Sequence, residues 1–435
     1  MIQNMFRKAM ASDDATLSLD FTTGALDSRL TFTRSTTGTY INSSGYVTSA
    51  AINAPRFDYD PTTPTARGLL IEGAASNLMF RSQAINTSPW FNAGTMTISE
   101  TGSSSPANDA TSNVVTWTNG TGSGNAWLQQ TVAVSAGSLV VGTAYTWSIW
   151  LKSRGGRRVN VFAVLQGVSG NREVRVDFGV SPPTVTSTVA TGWTSIQTPT
   201  IVEYPNGWYK ITTGGTLPAS TTSVAFGLSN SDAVPASGTN GFEAWGYQLE
   251  AGSGASSYIP TGASTGSRAV DTAIIAAGTA FSGWYTGGLN GTFYADWYGG
   301  VAGASGTQRS VLATDDVTTK HLHLYQTATT NTMTLANFGG GSTLATSNAI
   351  SPAGSRSKAA FSYATSAMNI CLNGGTVASG TVTGFTVAPT WLSLGAPSTN
   401  GTSITGTTVV LNNSIRSIKY WPTVLSNAQL QALTT

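Results

Sequence analysis

The segment at residues 242–250, FEAWGYQLE, alternates with a period of two. Trp245, Tyr247 and Leu249 read onto one face, and Gln248 and Glu250 onto the other. That period belongs to a half-buried β-strand, whose successive side chains point to opposite faces. AGSGASS behind it has turn composition. SYIPT then reads as extended, because Pro260 disfavours helical backbone at Ile259. A new run of strand-like segments begins beyond Asp271, so one β unit closes and another opens across residues 242–271.

The same alternation recurs on both sides of this seam. Over residues 86–265, NAWLQQTVAV, AYTWSIWLK, RVNVFAVL, REVRVDFG, GWYKITT, SVAFGLS and FEAWGYQLE read as closely spaced strands with no long helical pattern between them. Such spacing predicts a β-sandwich. Over residues 272–435, GTFYADWYG, SVLAT, HLHLYQT, TMTLANF, SKAAFSYA, MNICLNGG, WLSLG and SIRSIKYWP predict a second. The closing VLSNAQLQALTT carries a helix N-cap signal at Ser426 or Asn427 and predicts a short helix. The expected fold class is therefore all-β: two tandem β-sandwich (jelly-roll) domains, 86–265 and 272–435, after an irregular, short-stranded N-terminal region, 1–85.

Composition agrees. Charged residues are 9% of the chain, and 49 glycines with many serines and threonines fill the gap; soluble domains average about 25% charged. With 40% hydrophobic residues, 12 Trp, 14 Tyr and 15 Phe, the chain is too apolar for intrinsic disorder. A net charge of +2 provides no basic field for nucleic acid, and Arg154, Arg157 and Arg158 read as a solvated hairpin. The lone Cys371 excludes an internal disulfide and a cysteine-rich zinc site. MIQNMFRKAMASDD lacks the apolar core of a signal peptide, and no run reaches the roughly 18 apolar residues of a membrane span. Synthesis and folding in a cytoplasm are expected.

The first 85 residues differ, carrying fourteen of the forty charged residues. Residues 2–10 suit a short helix. Arg56, Asp58, Asp60, Arg67 and Glu72 alternate in sign and are suited to ion pairs, either at an interface or within a self-contained subdomain. The FTR…GTY…G.V stretch, PRFDYDP and RGLLIE, over residues 19–80, resemble the head of phage fibre and head-spike proteins. GYQLE, SYIPT and SRAVD resemble the end of the jelly-roll module in the same proteins. That resemblance implies an N-terminal region for virion attachment or docking on the next module. It also implies partners among the capsid, portal, neck or tail proteins, and a homo-oligomer, with a trimer first. The order of the middle segments resembles a carbohydrate-binding-module jelly roll. NGG, LSLG and KYWPTVLSNAQLQAL resemble a laminin G-like, concanavalin A-type lectin sandwich. These resemblances imply adhesion to host-surface glycans.

Candidate residues follow from alternation. In YTWSIWLK, Trp147, Ile149 and Leu151 face one way and Ser148, Trp150 and Lys152 the other. Trp150 is thus a large outward aromatic, suited to stacking on a sugar or packing on a neighbouring strand or subunit. In GTFYADWY, Phe293, Ala295 and Trp297 read as core, leaving Tyr294, Asp296 and Tyr298 outward. In HLHLY, Leu322 and Leu324 point inward and His321, His323 and Tyr325 outward. If both strands share a sheet, that face offers the aromatic surface and polar groups a glycan needs; a solvated face or a subunit contact uses the same pattern. The two histidines are spaced to reach one metal, and Asp315 and Asp316 have oxygens for Ca²⁺, but neither set has enough partners nearby to predict a metal or other cofactor. Glycoside hydrolysis ordinarily takes two carboxylates flanking the bond, and no glutamate follows Glu250. With no GxSxG and no P-loop, the expectation is a non-catalytic protein: an adhesin, or a purely structural decoration protein, ahead of a glycan depolymerase.

Overall fold

The computed structural model describes residues 14–94, 96–99, 102–117, 126–155, 158–230, 240–300, 308–315, 320–327, 332–337, 343–350, 354–382, 386–398, 400–404 and 409–435. The helix expected over residues 2–10 lies outside them. The described chain is nearly all β, in two sandwiches.

The middle sandwich stacks two antiparallel six-stranded sheets. One runs, edge to edge, Thr194–Tyr204, Trp208–Thr216, Ala144–Arg154, Asn240–Ala251, Asn113–Trp117, Met96–Ser99. The other runs Thr184–Thr191, Asn171–Asp177, Arg158–Gln166, Ser223–Asn230, Trp127–Ala133, Phe91–Ala93. All seven expected segments are strands. Trp147, Ile149 and Leu151 enter the core between the sheets with Val161, Phe226 and Leu249.

FEAWGYQLE departs from simple alternation at Gly246. Its strand pairs Leu249 with Trp147 and Trp245 with Trp150, so it takes four steps where its neighbour takes three. This is a β-bulge, and it sits where Gly246 holds φ at 68°. The extra residue reverses the faces. Phe242, Ala244, Tyr247 and Leu249 all enter the core, while Trp245 joins Glu243, Gln248 and Glu250 outside. Trp245 was expected beside Tyr247 and Leu249, and the bulge moves it. Gly246 is required twice over, since a Cβ there would lie 2.8 Å from Cε3 of Trp150.

The second sandwich is not confined to residues 272–435. One of its sheets runs Ala378–Thr381, Ala367–Leu372, Arg356–Tyr363, Gly291–Tyr298, Asn413–Trp421, Ala66–Ile71, Phe57–Tyr59, and Leu17–Asp20 also pairs with Asn413–Trp421. The other runs Thr31–Thr33, Thr272–Ile275, Trp391–Leu394, Gln308–Asp315, Lys320–Thr327, Thr332–Asn337, Thr343–Ile350. Leu17, Phe21, Phe32, Leu69 and Ile71 therefore share one core with Phe293, Trp297, Leu324 and Ile418. The boundary expected at residue 85 does not divide the sheets: the N-terminal strands complete the C-terminal sandwich, and the middle sandwich is inserted between its parts. Local patterning shows strands but not their partners, and Leu69 pairs with Ile415. Gly68 of RGLLIE permits that approach. Its φ is 104°, and a Cβ would lie 2.1 Å from the Ile415 carbonyl oxygen.

The helix Asn427–Thr434 closes the chain as expected, capped at Ser426, whose backbone N–H donates to Gln429 Oε1 at 2.8 Å. Its buried Leu430 lies over Ala360, Cys371 and Trp421. It covers part of one sheet's outer face.

Candidate functional site

The quoted motifs meet at the seam between the sandwiches. Arg56 of PRFDYDP pairs with Glu72 of RGLLIE at 2.6 Å and with Asp271 of SRAVD. Arg34 of the FTR stretch reaches the same Asp271 at 3.2 Å, and Arg268 reaches Glu72 at 3.4 Å. Asp271 also accepts the Glu72 backbone N–H at 2.8 Å. Glu72 accepts the Ser257 N–H and hydroxyl, both at 2.7 Å. These side chains are almost wholly buried. Burial alone would raise the Glu72 pKa, but Arg268, Arg56 and the Ser257 bonds outweigh it and hold it at about 2. Arg34, Arg56 and Glu72, three charges of the first 85 residues, therefore fasten this chain to itself.

Beside this clasp the outer face of the middle sandwich carries an aromatic cluster. Trp150 stands edge-on to Trp245, Tyr258 and Tyr204, with centroids 5.2, 5.5 and 5.6 Å away. Val47 packs on the cluster from the N-terminal hairpin, in which Gly38–Ile41 pairs with Val47–Ala50. Tyr258 follows the AGSGASS turn, and its carbonyl accepts the Thr39 hydroxyl at 2.5 Å. Trp245 Nε1 donates to the Thr111 hydroxyl, and Trp208 Nε1 to the Ser104 carbonyl, both at 2.8 Å.

Where the two sandwiches part above this cluster, a cleft of about 650 Å³ opens. Its floor is built from Trp150, Tyr204 and Tyr258. One wall is the hydroxyl-rich strand pair with Thr198, Thr200, Lys210 and Thr212. The facing wall is N-terminal, with Tyr40, Asp58, Tyr59 and Arg67, and Asn412 and Asn413 close one end. The Lys210 ammonium lies 4.5 Å from the Trp150 ring centroid. It makes no ion pair or hydrogen bond among the described residues. Burial lowers its pKa, more than the attraction of Glu250, Glu72 and Asp58 restores it. Burial likewise pushes the Asp58 carboxyl up to about 6, against the Ile41 N–H it accepts at 2.8 Å and the field of Arg67. Arg67 stacks over Tyr298 at 4.1 Å, and its nearest carboxylate, Asp60, is 3.9 Å away. Its Nε has no hydrogen-bond partner among the described residues.

The expected glycan face is not assembled. Gly291–Tyr298 and Lys320–Thr327 belong to opposite sheets of the sandwich, so Tyr294, Asp296 and Tyr298 look away from His323 and Tyr325. Tyr294 is drawn in beside the cluster of Ala360, Trp421 and Leu430 under the terminal helix. Asp296 is 4% exposed and is held by Arg356 through two bonds of 2.9 and 2.6 Å. Tyr298 is capped by Arg67. His323 and Tyr325 are 2% and 7% exposed, with rings 4.9 Å apart. The side chain of His321 lies outside the described residues, as does Asp316. Trp150, at 1% exposure, presents no free ring face for stacking; outward on its sheet, it is roofed by Tyr258 and the N-terminal hairpin. It nonetheless forms the cleft floor. Sequence reasoning named Asp58 and Arg67 only as ion-pair formers, and it missed Lys210 and Tyr59. The sequence signal for them was the charge and aromatic content of PRFDYDP and GWYK, without a sign that the two segments face each other. Among the described residues, no three His, Cys, Asp or Glu side chains are grouped to hold a metal ion. No described helix is long and apolar enough to cross a membrane.

No protein-family model and no curated protein matches the chain. Among solved structures it is similar to the Ruminococcus gnavus IT-sialidase CBM40 bound to α2,3-sialyllactose, at 16% identity over 34% of this chain and 82% of that one, with a TM-score of 0.28. A structure described as CBM4 is similar at 16% identity over 39% and 90%, with a TM-score of 0.24. Mouse laminin α1 domains LG4-5 are similar at 10% identity over 67% and 84%, with a TM-score of 0.24.

Proposed function

We propose that this chain is a non-catalytic, glycan-adhesive protein of a phage particle, of fibre, head-spike or decoration type, and that saccharide binds in the cleft between its sandwiches. The observation that carries the glycan reading is the cleft itself. Its 650 Å³ falls within the range of about 300–1,000 Å³ usual for ligand sites. Its wall of threonine hydroxyls and the rings of Tyr40 and Tyr59 are the groups a sugar's hydroxyls and C–H faces use. Of its two lining carboxylates, Glu72 is locked by Arg56 and Arg268, which argues against a pair of acids cutting a glycosidic bond. The virion reading is supported by the fibre-like and spike-like motifs, which meet in one clasp. Copies on one particle, as a homotrimer joined to capsid, neck or tail proteins, would combine weak sites by avidity.

The test is a glycan array and host-cell binding assay with the full chain beside Thr200→Trp. Thr200 is exposed on the cleft wall, so the indole fills the opening without disturbing a buried group. Binding by the wild type that Thr200→Trp abolishes supports the reading; binding that survives overturns the cleft as the site. Immunogold labelling of purified particles and sedimentation equilibrium test the virion location and the trimer. A second reading, a purely structural decoration protein, is favoured by one observation: Trp150, Tyr294 and Tyr325, chosen as outward aromatics, are spent on packing within the chain. Absence of binding to every glycan by the assembled oligomer would select it.

A further inference from the structure

Resting on the cleft as a saccharide site, we propose that its ligand is an acidic saccharide, whose anionic group is met by Lys210 and Arg67. These two cations line the cleft from facing walls, one on the middle sandwich and one on the N-terminal strand Ala66–Ile71. Each is held in place by an aromatic ring rather than by a close carboxylate: Lys210 over Trp150 at 4.5 Å and Arg67 over Tyr298 at 4.1 Å. A ring face attracts a cation and fixes its position, but it does not neutralise the charge as a paired carboxylate does.

The acids nearby do not change this balance. Glu72 is committed to Arg56 and Arg268, and Glu250 is buried under Ser256 and Gln248. Asp60 approaches Arg67 only to 3.9 Å. Asp58 accepts the Ile41 N–H and leaves the lining one cation in excess of the acids not otherwise engaged. Arg67 Nε is closed off from solvent, but its side chain keeps 20% exposure, so the guanidinium can still be met by a ligand in the cleft. A carboxylate, sulfate or phosphate borne on a sugar supplies both the acceptor oxygens and the missing charge, and a neutral sugar supplies only weaker acceptors. All three anions share this chemistry.

The experiment presents the full-length chain with an array in which each oligosaccharide backbone appears in neutral, carboxylated, sulfated and phosphorylated form. Lys210→Met and Arg67→Gln are measured beside the wild type. The wild type should bind anionic members at least about tenfold more tightly than their neutral counterparts, the scale of a hydrogen bond to a charged group. That preference should weaken with added salt and fall severalfold in each variant, while any binding of neutral members is retained. The carboxylated, sulfated and phosphorylated arms identify which anion is read. Equal or better binding of neutral members overturns the inference and leaves the cleft reading standing. So does an anion preference that both variants keep. Failure of every member to bind overturns both. Arg67→Gln keeps the inference falsifiable should Lys210→Met disturb the Trp150 cluster, and a near-ultraviolet tryptophan spectrum reports that disturbance.

Discussion

Asp271→Asn isolates what the clasp contributes. The wild-type carboxylate takes Arg34, Arg56 and the Glu72 N–H, with both arginine side chains and its own fully buried. The amide keeps the shape but removes the charge. Arg34 then has no acid, and Glu72 alone faces Arg56 and Arg268. Breaking a buried pair from one side costs roughly 3–5 kcal/mol, because a charge is left uncompensated in the interior. Arg34 keeps its bonds to the carbonyls of Thr36 and Ala51, both at 2.8 Å, which places the expected loss at about 3 kcal/mol, the lower end. For a cooperative unit of 150–250 residues, each kcal/mol moves the melting temperature by about 2–4 °C, so a fall of roughly 6–12 °C is expected by calorimetry. Urea denaturation supplies the free energy directly. The control is Asp60→Asn, whose 3.9 Å contact with Arg67 joins side chains that are 34% and 20% exposed, a partly solvated pair worth no more than about 1 kcal/mol. A loss under about 1 kcal/mol for Asp271→Asn, or equal losses for the two variants, would refute the reasoning: the clasp would then be a solvated cluster and not a buried one.

Three further outcomes are expected. A fragment of residues 272–435 should be insoluble or molten, and should gain native tryptophan signal when joined to residues 14–77, because Leu17, Leu69 and Ile71 belong to its core; a fragment that unfolds cooperatively alone would contradict this. Acid titration should show two opposed limbs. Glu72, near 2 when folded against 4.5 free, contributes stability that is present above about pH 4.5 and is lost as pH falls toward 2. Asp58, near 6 against 3.8, contributes stability that is present below about pH 3.8 and is lost as pH rises through 6. Glu72→Gln should remove the first limb and Asp58→Asn the second; stability unchanged between pH 6 and 2 would count against both assignments. Gly246→Ala should cost about 1–3 kcal/mol in urea titrations, since its φ of 68° and the 2.8 Å approach to Trp150 leave no relaxed place for a methyl group; a neutral result would mean the bulge can shift.

Strands whose apolar residues alternate were legible, because one face of each lies in a core: AYTWSIWLK, GTFYADWY and HLHLY all placed their inward residues correctly. The strands Thr184–Thr191 and Thr194–Tyr204 were not. They are sheet edges whose side chains are mostly exposed, so threonine and proline stand where alternation would need apolar residues. The bulge at Gly246 was invisible for another reason: one glycine with positive φ moves Trp245 to the other face while leaving the string of residue types unchanged. The discontinuous sandwich required pairings such as Leu69 with Ile415, and no local pattern specifies those.

The candidate site failed on a single assumption, that outward on a strand means open to solvent. Here the helix Asn427–Thr434 covers Tyr294, Arg67 covers Tyr298, and Tyr258 with the N-terminal hairpin covers Trp150. What replaced that face is a cleft made where the covering stops. Its cations come from segments far apart in sequence, brought together by the clasp that PRFDYDP, RGLLIE and SRAVD form.

The most direct test of the central claim is a crystal structure of the full chain with the tightest-binding array saccharide. The sugar is expected between the sandwiches, against the Thr198–Thr200 wall, with its anionic group within hydrogen-bond distance of Lys210 or Arg67. A sugar bound on the outer face of either sheet, with the cleft holding only solvent, would contradict it.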